Sequence, residues 1–477
     1  MDSRSWFFLP SSNATATLRC SVAVATFSVA IACSLGDRRH AFAAENGSRV
    51  DCSVVCKAVF PQSTLATAGK TIDRARPIMF GGISSLAVIP QENDSGELIV
   101  RLITDRGPTS KLKTTNGNRR VFWNPAFVPS ILTFSVTGFR SDSAISTLPL
   151  SVERLSTQTL HGLSGVSFTG HPNGLAGDET AFHPNGQEPL PADPNGIDPE
   201  ALIVLRDGSA WLAEEYLPSL LRISSEAVVL SRYVPIGVKL KDADTQIHNT
   251  LPEHYRKRQP NRGFESVAVS PDEKVLWTML QSPLAQEDSC TDHHGDVVRL
   301  LQLDSLTGQP QAEYLYKFGR PFDARHSGRG RPTNDGKVCA IACINAKSLL
   351  VLEQSDDGDA ALYRCQLAGG TNTLGDDRLF EGIADLSDAG VEVVPKTLVA
   401  DLRPLLPEFA HDITDGAWKP NANEPIAGLK LEGIAIVDQR HVAIVNDNDF
   451  NTNPPDDTNE PLRRSCLWIV ALPVALQ

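Results

Sequence analysis

The chain is patterned as short apolar runs of strand length separated by turns, with no sustained helical period. Its clearest unit spans 262–284. An apolar run begins at Phe264, a turn follows at Ser270-Pro271-Asp272-Glu273-Lys274, and a second run extends from Val275 to Gln281. Apolar runs bounded by such turn residues predict a β-hairpin. The unit recurs. Pro199-Glu200 opens a run that turns at Asp207-Gly208 and returns to Glu214-Glu215, placing Trp211 in line with Trp277. Leu431-Glu432 opens another, which turns at Asp438-Gln439-Arg440 and ends on Asn446-Asp447. Two looser copies, at 82–105 and 338–354, carry Ser84 and Cys339 where the others carry an acid. The opening and closing polar residues lie 15 apart in the copies from Glu200 and Glu432, and 16 apart from Glu265 to Gln281.

Hairpins repeated over most of a chain predict radial repetition, because stacking sheets about an axis covers faces that a lone sheet leaves exposed. The expected fold is all-β and β-propeller-like, with about six blades and long loop insertions. Equivalent points of the blades face one central mouth, so the acids at those points converge there. The alternative is that Glu200, Glu265 and Glu432 cap strand ends by bonding nearby backbone amides. The final apolar run, 465–472, is expected beside the first blade, closing the ring.

Other stretches interrupt the pattern. Three copies of x-Pro-Asn-Gly, ending at Gly174, Gly186 and Gly196, are strong turn signals and mark a long insertion at the rim of the mouth. A second insertion carries Arg320, Arg325, Arg329 and Arg331. At the start, Arg4 and Arg19 precede an apolar run over 21–35, too short to span a bilayer, and Ala41-Phe42-Ala43 offers a cleavage site. We therefore read 1–43 as a signal peptide, 44–76 as a linker and 77–477 as the propeller domain. Lipidation at Cys33 is the alternative, and the expected location is secreted or periplasmic.

The formal net charge is −13, and a leader with four basic and two acidic residues leaves −15 on the mature chain. Such a balance repels nucleic acid and anionic membrane surfaces, and neither is expected as a partner. No membrane span is expected either. Export permits disulfides, yet removal of Cys20 and Cys33 leaves an odd number of cysteines. Cys52 and Cys56 could close a small loop. Cys339 and Cys343 lie four apart on one strand, about 13 Å, too far to bond each other.

The candidate chemistry is that of oxygen ligands. Asp105 and Arg106 stand side by side at a strand exit, where they can hold a cation and an anion together. Asp447, Asp449 and Asn451 imitate the opening of a calcium loop, although Thr452 and Thr458 replace the Gly and Glu of an EF-hand. No G-x-S-x-G is present, which disfavours a serine esterase.

Taken together, Asp105-Arg106-Gly107, Glu200-Ala-Leu, Glu214-Glu215-x-x-Pro218-Ser-Leu-Leu-Arg222, Asn261-Arg-Gly-Phe-Glu265, Leu431-Glu432-Gly-Ile-Ala and Asn446-Asp447-Asn448-Asp449-Phe450 resemble the phytase-like family, also described by an esterase-like activity of phytase. The resemblance runs in order over 77–472. It implies an exported propeller that hydrolyses phosphate or other esters, a small anionic ester being the expected substrate. Asp105, Glu200, Glu215, Glu265, Glu432, Asp447 and Asp449 are then the expected ligands of a divalent metal, calcium by ligand type. Glu265, Arg106, Arg222 and Arg262 are the expected catalytic groups. A non-catalytic binding propeller and a lactonase-type hydrolase are the alternative functions.

Overall fold

The hairpins foreseen in the sequence are the inner halves of five blades. In this computed structural model the described residues are 52–62, 78–89, 96–115, 117–141, 148–175, 177–285, 295–319, 336–355, 359–383, 385–417, 429–452 and 462–477. All lie in the compact unit Arg49–Gln477. The leader and the arginine-bearing insertion fall outside them.

Each blade is a meander of antiparallel strands. The first comprises Ile83–Ile89, Leu98–Thr104, Ser130–Thr137 and Ser151–Thr159. The second comprises Pro199–Val204, Ala210–Glu214, Ser219–Ile223 and Val229–Pro235, with Gln246–Leu251 added in parallel. Phe264–Val269, Val275–Leu280, Val297–Asp304 and Pro310–Lys317 form the third, and Lys337–Asn345, Ser348–Gln354, Ala360–Gln366 and Lys396–Asp401 the fourth. The fifth joins both ends of the chain. Lys430–Ile436, His441–Asp447 and Cys466–Ala471 are joined by Ser53–Val59, which pairs antiparallel with Cys466–Ala471 and in parallel, on its other edge, with Leu148–Pro149.

Strand alternation closes the ring. In the fourth blade Leu350 and Leu352 face the fifth, packing with Ile444 and Trp468, while Leu349 and Val351 face the third, packing with Trp277 and Met279. Similar apolar layers join the fifth blade to the first, the first to the second and the second to the third. Successive side chains of a strand point to opposite faces, so each blade supplies two cores at once. Trp211 and Trp277 hold equivalent places, opposite Ile203 and Ala268, as their alignment predicts. Gly263 marks a tight approach between blades, for a Cβ there would lie 2.1 Å from the Glu215 carbonyl oxygen.

Four expectations change. The stretch read as a linker contains a strand of the fifth blade. The last strand lies inside that blade rather than beside the first, because its free edge pairs with the N-terminal strand. Among the described residues there are six sheets, but the sixth is a three-stranded insertion (Thr109–Thr114, Gly117–Phe122, Ala181–Phe182) outside the ring. Cys52 and Cys56 lie along one extended segment, four residues apart, so strand rise separates them by about 13 Å and the small loop does not form.

Candidate functional site

One local irregularity builds the site. The first strand of every blade slips register against the second at the same place, leaving Ser84, Glu200, Glu265, Cys339 and Glu432 as the bulged residues. A β-bulge inserts an unpaired residue and re-aims its side chain. Here five bulges turn five side chains to one end of the axis. The second strands exit at the same end through Asp105, Glu215, Gln281, Gln354 and Asp447. All ten residues line a cavity of about 410 Å³. Below it, a narrower bore of about 150 Å³ follows the axis and shares Glu200, Glu265 and Glu432 with the mouth. The three-stranded insertion forms the rim, where Thr109, Lys111 and Arg120 reach the cavity.

The acids fall into two groups. Glu200 and Glu215, with Asp198, each offer a carboxylate oxygen within 4.8 Å of the others. Calcium holds oxygens at about 2.3–2.6 Å, so oxygens this close fit around a single ion. Glu265 belongs beside them. Its Oε1 accepts from the Gln281 amide, whose own oxygen accepts from Arg262, while Glu265 Oε2 and Glu215 Oε1 are buried and meet no donor. Buried polar atoms without partners are uncommon and call for an explanation. Burial and then the charge of Glu265 push the Glu200 carboxyl well above the carboxylate range. Burial and Asp198 lift Glu215 to about 8, and burial and Glu215 likewise raise Glu265. Burial, then Asp447 and Asp198, raise Asp105, which stands between the two groups.

In the second group, Lys430 Nζ lies 2.6 Å from Asp449 and 3.4 Å from Asp447. Burial favours the neutral acid at Asp449, but the Lys430 ammonium outweighs it and draws that carboxyl below its ordinary value. Asp447, lifted to about 7 by burial and the neighbouring Asp449 charge, also gives an oxygen to the Asp449 amide. Burial raises Glu432 too, against the opposing charges of Lys430 and Lys337.

The calcium-loop reading of 447–451 does not survive. Asn451 binds Arg463 through both its amide atoms, and Lys430 occupies the cation position between Asp447 and Asp449. The neighbouring asparagines do structural work. Asn448 Oδ1 accepts from Gly82 and Phe450 while its Nδ2 donates to Phe80, latching the fifth blade to the first. Within Glu214-Glu215 only the second acid faces the cavity, since Glu214 is buried against Arg232 at 2.7 Å.

The expected arginines part company as well. Arg262 lines the mouth. Arg106 also lines it, but its guanidinium is committed to Asp198 at 2.8 Å and to Asn261. Arg222 lies elsewhere: it pairs across from Trp211, stacks on that ring at 5.6 Å and faces Asp207 by the distal turn. A strand has two ends, and Arg222 sits toward the wrong one.

Asp198 and Lys430 are additions that the sequence reading did not include. Each stands two residues before a bulge, as does Lys337, and this spacing was a readable signal. The equivalent residues in the other two blades are Gly82 and Gly263. The mouth therefore repeats in backbone but not in charge.

Residues 78–450 match the family described as phytase-like, esterase-like activity of phytase. The chain belongs to this family. The match takes in all five inner hairpins and ends on Phe450, beside the Lys430-bound acids of the fifth blade. An uncharacterized secreted protein of Arthroderma benhamiae is 24% identical to this phytase-like chain over 186 residues, 35% of the chain and 36% of the relative. The match thus spans about a third of that relative's length. The PQQ-bound aldose sugar dehydrogenase of Streptomyces coelicolor aligns over 84% of this chain and 97% of its own, at 9% identity and a TM-score of 0.30. A gluconolactonase of Xanthomonas campestris aligns over 84% and 100%, at 12% identity and a TM-score of 0.25. Likenesses at these TM-scores decide nothing, and the ring rests on the chain's own sheets and interblade cores. Among the described residues no helix is long and apolar enough to cross a membrane.

Proposed function

We propose that the mouth is a divalent-cation site at which a small anionic ester, most simply a phosphomonoester, is hydrolysed. The observation that carries this reading is the Asp198–Glu200–Glu215 cluster, with ligand oxygens within 4.8 Å, beside the unpartnered buried oxygen of Glu265. Oxygen donors alone favour calcium or another hard cation. A cation bound there supplies positive charge that admits an anion to an acidic mouth and polarises its reacting bond.

The remaining roles belong to the chain. Arg262 spends one N–H on Gln281 and keeps others for the non-bridging oxygens of an ester. Gln281 in turn holds Glu265 through Oε1, leaving Oε2 to take a proton from water. Arg106 acts through Asp198, which it holds by an ion pair and by its backbone amide. The test is an ester screen of the purified chain, with calcium and with chelator. Calcium-dependent phosphate release, weakened at least tenfold in Arg262→Gln, is expected. Cation binding without turnover of phosphate, carboxylate or lactone esters would leave a binding propeller instead.

Export belongs to the same proposal, supported by the leader-like pattern of 1–43 and by the secreted relative. Mass spectrometry of the mature protein should find an N-terminus near Ala44. An intact Met1 on cytosolic protein would refute it, and a lipid on Cys33 would change the destination.

A further inference from the structure

The backbone of the mouth repeats from blade to blade, but its charges do not. Two residues before the bulge, the second blade places Asp198 and the fifth places Lys430. Asp198 completes a cluster of three carboxylates whose oxygens can meet around an ion. At the equivalent position, Lys430 Nζ already touches two carboxylates, Asp449 at 2.6 Å and Asp447 at 3.4 Å. Asp447 lies at the exit of the second strand, as Glu215 does in the second blade. The two subsites thus have the same framework of a bulge acid and an exit acid. One adds a third acid, and the other adds an ammonium.

We propose that Lys430 is a built-in cation that fills the second subsite of the mouth and restricts the protein to a single divalent ion, held by Asp198, Glu200 and Glu215. The proposal rests on the cation reading of the mouth given above. Its physical basis is charge balance. Asp447 and Asp449 are close enough to bind one ammonium together, so loss of that ammonium leaves two adjacent carboxylates with only the Arg463 charge near Asp449 to offset them. Such a pair either takes protons or recruits another cation. In the Asp198 cluster, among the described residues, no lysine stands between the acids; Arg106 pairs with Asp198 at 2.8 Å but shares its guanidinium with Glu179 and Asn261, and Glu215 Oε1 is left without a donor.

Calorimetric titration of the full chain with calcium chloride tests this. The wild type should take up a single ion. Lys430→Met should take up a second, and Lys430→Gln should do the same while keeping a polar donor for Asp449. Lys430→Arg, which preserves the charge, should stay at a single ion. Adding Asp447→Asn to Lys430→Met should abolish the second ion and leave the first. If Lys430→Met folds poorly in chelator, Lys430→Gln carries the test, and both should melt at lower temperature than wild type in chelator and recover with calcium.

The outcomes separate the two ideas. A single ion in wild type and in both neutral variants overturns the role of Lys430 and leaves the cation site standing. Two ions in wild type overturn it as well. No ion in wild type, with none gained in the variants, overturns the cation reading itself and this inference with it.

Discussion

Glu265 carries one carboxylate oxygen bonded to Gln281 and another, buried, that meets no donor. Leaving such an atom unsatisfied costs on the order of 1–3 kcal/mol. Glu265→Gln keeps the size, can still offer an oxygen to Gln281 and removes the charge. In chelator the variant should therefore be at least as stable as wild type. Calcium should reverse the order, since an ion at 100 times its dissociation constant adds about 2.7 kcal/mol to whatever binds it fully. Melting curves with calcium and with chelator check this, and equal calcium shifts in both proteins would remove Glu265 from the site. Arg222 gives the opposite expectation. Its guanidinium stacks on Trp211 and faces Asp207, so Arg222→Ala should cost roughly 1 kcal/mol in packing and cation–π contact. Its calcium titration should match wild type, and a changed affinity would contradict the placement of Arg222 by the distal turn.

At the scale of elements, the third blade is tied to the loops around it by a buried polar network. Glu313 on its outer strand accepts from Tyr255 and meets His254, each at 2.8 Å, and pairs with Arg299 at 2.7 Å, while Arg299 also grips Glu381. Burial pushes the Glu313 carboxyl up, but the His254 hydrogen bond and the Arg299 charge outweigh it and hold the carboxyl below its ordinary value. A pKa lower in the folded than in the unfolded chain stabilises the fold above the ordinary carboxylate range, and the benefit is lost as pH falls through the depressed value. Removing one member of a buried pair typically costs about 3–5 kcal/mol. Glu313→Gln should show a loss of that order at neutral pH, and a smaller one as acid protonates the wild-type carboxyl. Denaturant titrations at several pH values measure it; a loss independent of pH would mean that shape rather than charge matters at this position.

On the scale of the whole molecule, the ring is held by pairing between the two ends of the chain. Ser53–Val59 covers the edge of Cys466–Ala471, and its Val55, Cys56 and Ala58 pack into the layer between the fifth blade and the first. Deleting 53–59 exposes a strand edge and one side of that layer together. The shortened protein should melt at least 10 °C lower, using the usual few degrees per kcal/mol for a chain of this size, and should aggregate more readily. Scanning calorimetry and size-exclusion chromatography test this. An unchanged melting temperature would show that the fifth blade stands without its outer strand. In intact protein, calcium should raise the melting temperature through the mouth alone, leaving this seam untouched.

How much of this was legible depended on how local each cause was. Turn chemistry and period-two alternation act over a few residues, so the five hairpins, the equivalence of Trp211 and Trp277 and the shared place of Ser84, Glu200, Glu265, Cys339 and Glu432 could all be read from the chain. The fixed spacing to Glu215 and Asp447 aligned the repeats, but the bulge at each acid came into view only in the strand register. Contacts between distant segments left no such mark. Nothing around Ser53–Val59 announces a partner more than 400 residues away. Arg222 looked like a site residue because its motif is near Glu215 in sequence, yet an antiparallel turn carried it back toward the other end of the blade. Asp447, Asp449 and Asn451 looked like one ligand run, whereas the fold gathers the two aspartates around Lys430 and ties Asn451 to Arg463. Which acids share an ion and which share Lys430 was decided only when the blades closed, since charges interact through distance in space and the chain fixes only distance along itself.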